Sequence, residues 1–126
     1  SGLLGLGGAN DMRTILQRAE AGDEDARLAL DVYCYRIKSY IGAYLAVLGR
    51  LDAIVFTAGV GENSPEVRAC SLAGLEGLGI RVDRERNENG KGARVISPDD
   101  APVSVLVVPT NEELEIARQA VALLEG

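Results

Sequence analysis

The stretch Asp52-Ala-Ile-Val-Phe-Thr-Ala-Gly-Val-Gly-Glu-Asn-Ser-Pro65 decides how this chain is read. Ala53, Ile54, Val55 and Phe56 form an unbroken apolar run, the pattern of a central parallel strand covered on both faces, so residues 52–58 read as a buried strand. Gly59 to Asn63 reads as the loop after it. Ser64 and Pro65 start a helix, the hydroxyl capping the first turn and the proline standing where its missing N–H has no partner to lose. In open α/β sheets, ligands bind beyond the carboxyl ends of strands. Glycines at that place let a ligand approach the main chain, and a following helix adds oriented N–H groups. An ordinary strand-to-helix turn has the same composition, and Gly-x-Gly alone leaves the two accounts level. The run fits neither phosphate-loop template, because no Lys-Ser/Thr follows and Ser64 replaces the third Rossmann glycine.

Upstream of this strand, Asp23, Glu24 and Asp25 place negative charge at the positive end of a helix that Gly49 stops. Leu30, Tyr33, Ile37, Tyr40, Tyr44 and Leu48 recur every three or four residues and mark one face; Ala29, Val32, Ile41, Leu45 and Val47 widen it. All four tyrosines of the chain lie here. Before it, Asn10 and Asp11 offer N-cap chemistry for a short helix that Gly22 ends. Residues 1–8 are glycine-rich and uncharged, a poor start for an independent domain, and read as a loop belonging to something larger.

Downstream the signals are shorter. Strands are expected near residues 80–82, 94–96 and 103–108, with a polar, glycine-containing turn between the first two. A final helix is expected over 110–124, with Leu114, Ala117, Val121 and Leu124 inward. The predicted order is α-α-β-α-β-β-β-α, an α/β fold.

Composition narrows the function. The chain has 126 residues, enough for one domain with its own core. Thirteen basic against 19 acidic residues give a net charge of −6, with neither the basic stripe of a nucleic-acid binder nor a polybasic membrane segment. The absence of histidine rules out histidine-based acid–base chemistry, a serine triad and histidine-containing zinc sites within these residues. Cys34 and Cys70 have no metal-binding or redox spacing and read as buried thiols in a reducing compartment. No signal peptide or membrane span is evident, and the expected location is cytoplasmic.

Two further places offer chemistry. In Asn10-Asp-Met-Arg13, an aspartate and an arginine at a helix start suit a ribose hydroxyl and a base, although simple capping by Asp11 is the stronger account of these residues alone. In Pro109-Thr-Asn-Glu-Glu113, Thr110 and Glu113 match a capping box. Glu112 is left over as a hard-oxygen contact for magnesium, although a solvated acid in a first helical turn is the commoner account of such a residue.

The blocks Ser1-Gly-Leu-Leu-Gly5, Asn10-Asp-Met-Arg13, Asp31-Val-Tyr-Cys-Tyr-Arg-Ile37, Tyr40-Ile-Gly-Ala-Tyr44, Thr57-Ala-Gly-Val-Gly-Glu-Asn63 and Pro109-Thr-Asn-Glu-Glu-Leu114 resemble the acetate kinase family in sequence, order and separation. The resemblance runs over nearly the whole chain. It implies transfer of the γ-phosphoryl of ATP to acetate with magnesium, and a ribonuclease H-like core shared with sugar kinases, hsc70 and actin. Residues 1–126 would be the carboxy-terminal nucleotide-binding portion, without the amino-terminal domain. Asp11, Met12, Arg13, Gly59, Val60, Gly61, Glu62 and Asn63 would contact the adenosine part of ATP, and Glu112 would be the magnesium-associated carboxylate. Val60 stands where isoleucine is frequent, and Ala58 where a second glycine is frequent, which is expected to leave the loop open. The family's phosphate-contacting segment, catalytic arginines, histidines and acetate pocket precede this region, so no catalytic residue is assigned here and the chain alone is expected to be inactive. The resemblance also implies a homodimer through carboxy-terminal domains, to which the tyrosine-bearing helix could contribute. A propionate kinase, a non-catalytic nucleotide-binding module and a structural dimerisation piece remain as alternatives.

Overall fold

The computed structural model describes residues 9–125, with side chains described for 11–111 and 118–124. Its elements are α1 (Ala9–Glu20), α2 (Glu24–Leu48), β1 (Ala53–Thr57), α3 (Gly59–Asn63), α4 (Pro65–Leu72), a 3-10 turn (Glu76–Leu78), α5 (Arg84–Glu88), β2 (Arg94–Val95), β3 (Ser104–Val108) and α6 (Thr110–Glu125). No helix among the described residues is long and apolar enough to cross a membrane.

Helices α1 and α2 form a tight hairpin. The Asp23 N–H donates to the Arg18 carbonyl at 2.9 Å across Gly22, whose φ of +97° suits glycine. Asp23 then caps α2, accepting from the Ala26 N–H at 3.1 Å. Gly49 ends α2 in the left-handed conformation, its N–H on the Leu45 carbonyl. The expectation that Asn10 and Asp11 cap α1 is corrected: both lie within the helix, and Asp11 supplies negative charge to its first turn.

Met12 and Ile15 of α1 pack with Ala26, Leu30 and Cys34 of α2, Val60 of α3 and Val67 of α4 to make one apolar core. A second core gathers Phe56, Val103, Val105 and Val107 from the sheet region with Leu72, Ile80 and Ile96. Cys34 lies inside the first core, and burial pushes its thiol up to about 12, in keeping with an inert cysteine. Cys70 is only half-buried.

The sheet has the order β1-β3-β2. β1 and β3 pair in parallel from Ala53 opposite Ser104 to Thr57 opposite Val108, and β2 pairs antiparallel to β3. Three expectations need correction. β1 is an edge strand among the described residues, and only one of its faces is covered, with Ala53 and Val55 exposed and Phe56 buried; its unbroken apolar run does not mean burial on both faces here. Residues 80–82 form no strand. Ile80 is anchored in the core by its side chain, and the segment is tied to the sheet region at its ends, by Val103 N–H to the Gly79 carbonyl and Asp83 N–H to the Ile96 carbonyl. The polar turn that follows contains α5, capped by Asp83, which accepts from the Arg86 N–H at 3.0 Å. The order from β1 to the last helix is therefore β-α-α-α-β-β-α, not counting the 3-10 turn, against the predicted β-α-β-β-β-α.

Candidate functional site

β1 leaves the sheet at Thr57 and the chain turns abruptly. Ala58 has φ +58° and ψ +139°, a conformation that favours glycine and strains a residue with a Cβ. Gly59 follows at φ +47°, with open space where a side chain would stand. The segment read as a loop is instead the single helical turn α3. It stacks on α4, whose first turn is capped by Ser64 Oγ accepting from the Val67 N–H.

α3 is fixed by groups from three directions. Asn63 Nδ2 donates to the Gly59 carbonyl at 2.9 Å and closes the turn on itself. Arg68, 1% exposed, donates from Nη1 to the carbonyls of both Gly61 and Glu62 at 3.0 Å. The same guanidinium donates from Nε to Asn87 Oδ1 and from Nη2 to the Asn87 carbonyl, and Asn87 Nδ2 donates to the Pro65 carbonyl. Burial, then the neighbouring Arg94 charge, lowers the Arg68 pKa. Among the described residues no carboxylate forms an ion pair with it. Neutral carbonyls take its hydrogen bonds and the Glu66 charge favours its cationic form, which makes Arg68 a clamp on the turn. From the third side, Glu62 Oε1 accepts from the Thr110 N–H at 3.1 Å and the Thr110 Oγ1 at 3.0 Å, joining the turn to the start of α6.

The candidate residues divide into groups. Met12, Arg13, Gly59, Val60 and Asn63 line one cavity of about 450 Å³ between α1 and α3, with Leu16, Gln17, Glu20, Ser64 and Glu66 completing its wall. Met12 and Val60 are also core residues, 1% and 8% exposed, so they form its apolar floor. Arg13 is exposed at the rim. Asp11, Gly61 and Glu62 do not line this cavity. Gly61 lies against the Phe56 ring, where an added Cβ would make an ordinary contact at 3.5 Å. Glu112 lies in the first turn of α6, but its side chain, like that of Glu113, falls outside the described ones. Among the described residues no three His, Cys, Asp or Glu side chains cluster as a metal site.

Sequence reasoning missed Arg68, Asn87 and the Glu62–Thr110 contact. The one available signal was a charge within the inward stripe of α4, where Val67, Arg68, Ser71 and Leu72 are all buried. An arginine there needs internal acceptors.

Comparison with known proteins covers nearly the whole chain. The acetokinase family model matches residues 1–118. Acetate kinase of Streptomyces avermitilis is 61% identical over 125 residues, covering 98% of this chain and 31% of that protein. Among solved structures, Porphyromonas gingivalis acetate kinase superposes with a TM-score of 0.80 at 44% identity, over 98% of this chain and 32% of that one. A propionate kinase from Francisella tularensis superposes with a TM-score of 0.75 at 38% identity, over 93% of this chain and 30% of that one. The chain thus spans about a third of the length of the relatives it matches. A mixed α/β architecture, the agreement with these structures and a family match over most of the sequence lead to one conclusion: this chain belongs to the acetokinase family.

Proposed function

We propose that this chain is the carboxy-terminal, nucleotide-holding part of an acetate kinase, which transfers the γ-phosphoryl of ATP to acetate to give acetyl phosphate and ADP. The observation that carries the proposal is the shared cavity: Met12 and Arg13 from α1 face Gly59, Val60 and Asn63 across it, although the two groups are far apart in the sequence. Its apolar floor suits a purine, and the open space at Gly59 lets the base lie against main chain. Arg13 at the rim supplies a planar cation to stack on the base. Asp11, exposed on the same helix, is the ribose partner in this reading.

Magnesium would be held by Glu112. The ion usually takes one or two carboxylates, with the nucleotide's phosphates and water completing its shell, so a single carboxylate from the start of α6 fits it. When bound, the ion offsets charge on the phosphates. The residues of this chain then have the tasks of holding the base, orienting the nucleotide and setting where the carboxylate stands. The wider fold would be the ribonuclease H-like core of the superfamily, the setting cytoplasmic, and the assembly a homodimer. Tyr40 and Tyr44, both 62% exposed, and Val47, 84% exposed, offer apolar surface for the dimer.

Phosphoryl transfer depends on positive charge placed around the transferring group, and this chain supplies no histidine and only Arg13 at the cavity wall. Calorimetry is therefore expected to find Mg-ATP binding to the 126-residue chain without acetate phosphorylation. Gly59→Val, which adds bulk at the base and strains a φ of +47°, is expected to weaken that binding by at least about tenfold. Wild-type affinity surviving Gly59→Val would remove the site from this cavity. The Francisella propionate kinase is similar over the same region, so acyl choice is to be read by comparing acetate and propionate turnover in a longer chain containing these residues.

A further inference from the structure

We infer that Glu62 is a positioning residue, a brace that fixes the nucleotide turn α3 relative to the start of α6. The inference rests on the nucleotide reading above and changes the part assigned to Glu62 within it. Its side chain does not line the cavity. One carboxylate oxygen instead takes both the Thr110 N–H and the Thr110 hydroxyl, at 3.1 and 3.0 Å, across 48 residues of sequence.

The contact has a physical logic on both sides. Thr110 is the first residue of α6, and the leading N–H groups of a helix have no partner within it. A carboxylate from another element satisfies one of them and sits favourably at the positive end of the helix dipole. On the other side, the Glu62 carbonyl is held by Arg68. Residue 62 is thus anchored by its main chain to the core and by its side chain to the helix that carries Glu112. The base-holding turn and the start of the magnesium-bearing helix are set apart by the length of one glutamate side chain. Losing that brace is expected to disturb the joint geometry of base and cation more than the contact with the base itself.

Calorimetry with ATP, with and without magnesium, tests this on the 126-residue chain. Glu62→Ala is expected to weaken Mg-ATP about tenfold and metal-free ATP by no more than about threefold. Thr110→Val, which keeps the N–H and loses the hydroxyl, should produce a smaller loss in the same direction. Glu62→Gln retains an acceptor oxygen and should restore most of the magnesium-dependent affinity. Equal weakening of both forms in Glu62→Ala would make Glu62 a direct nucleotide contact and overturn the brace, and so would unchanged binding of both.

Amide hydrogen exchange separates this inference from the reading beneath it. If the wild-type chain binds neither form of ATP, the nucleotide reading fails. Slow exchange at the Thr110 amide that becomes fast in Glu62→Ala then still supports the brace. Fast exchange at Thr110 in both proteins overturns the brace, whatever ATP does.

Discussion

The two halves of α2 carry similar apolar patterns and meet opposite fates. In the first half, Ala26, Leu30 and Cys34 are buried against α1, α3 and α4. In the second, Tyr40, Tyr44, Val47 and Leu48 are exposed, and the inner stripe continues through Ile37, Ile41 and Leu45, which are half-buried. Between this second half and β1 runs a groove of about 520 Å³, lined by Tyr33, Ile37, Tyr40, Ile41, Tyr44, Ile54 and Val55 among others. Spacing identifies a face able to be buried, and neighbouring elements decide how far along the helix cover extends. Full burial against α1 and α4 stops at Cys34, and beyond it Ile37 packs only partly against that core. The candidate nucleotide cavity lies on the covered side, where Met12, Val60 and Val67 belong to the same core as Leu30.

The contrast can be broken most forcefully by truncating one side chain in each half. Leu30→Ala is expected to lower unfolding free energy by roughly 3 kcal/mol, because it opens a hole in a core with little room to close. Tyr44→Ser should change it by no more than about 0.5 kcal/mol, since it removes an exposed ring. Urea unfolding of both variants at low protein concentration checks the pair. A loss at Tyr44 as large as at Leu30 would mean that the groove is closed in solution. Light scattering on the Tyr44 variant would then read the proposed dimer surface separately.

A smaller effect sharpens the same comparison at the junction between groove and cavity. Ala58 lines the groove and holds a φ of +58°. Ala58→Gly is expected to raise stability by about 1 kcal/mol, since relief of strain outweighs the added freedom of the unfolded chain. A destabilised Ala58→Gly would show that its methyl group contributes packing worth more than the strain. Alanine here is expected to leave the loop open; its positive φ adds a conformational cost which that expectation does not include.

The smallest effect concerns the covered end of α2. The Ala26 N–H, and then the Arg18 guanidinium, hold the Asp23 carboxyl below the usual carboxylate range. A group whose pKa is depressed on folding adds stability that is fully present above its unfolded value, about pH 4, and lost as pH falls through the lower folded value. Asp23→Asn keeps an N-cap acceptor and removes the titration. Its unfolding midpoint should therefore fall less than wild type between pH 5 and 3, and an identical acid dependence would deny Asp23 any part in it.

Much of the architecture could be read from residue types alone. Gly22, Asp23 and Gly49 marked the hairpin and the ends of α2 because left-handed stops and caps are local chemistry. The apolar run of β3 and the Ser64-Pro65 helix start were equally legible. Residues 80–82 were not, since alternating apolar residues serve a strand or a buried extended segment alike and only available partners distinguish them. α5 was hidden in a polar stretch whose one signal was Asp83 as a cap.

The site divides along the same line. By themselves, the residues determined a glycine-bearing turn after an apolar strand, acid and arginine at the start of α1, and an acid in the first turn of α6, because those are properties of backbone freedom and charge at fixed offsets. Only the tertiary structure decided that Met12 and Arg13 share a cavity with Gly59, Val60 and Asn63, that Arg68 is buried beneath the turn, and that Glu62 reaches Thr110. Those contacts join residues brought together by two packed cores, and no local pattern encodes which distant carbonyl or N–H will be left needing a partner.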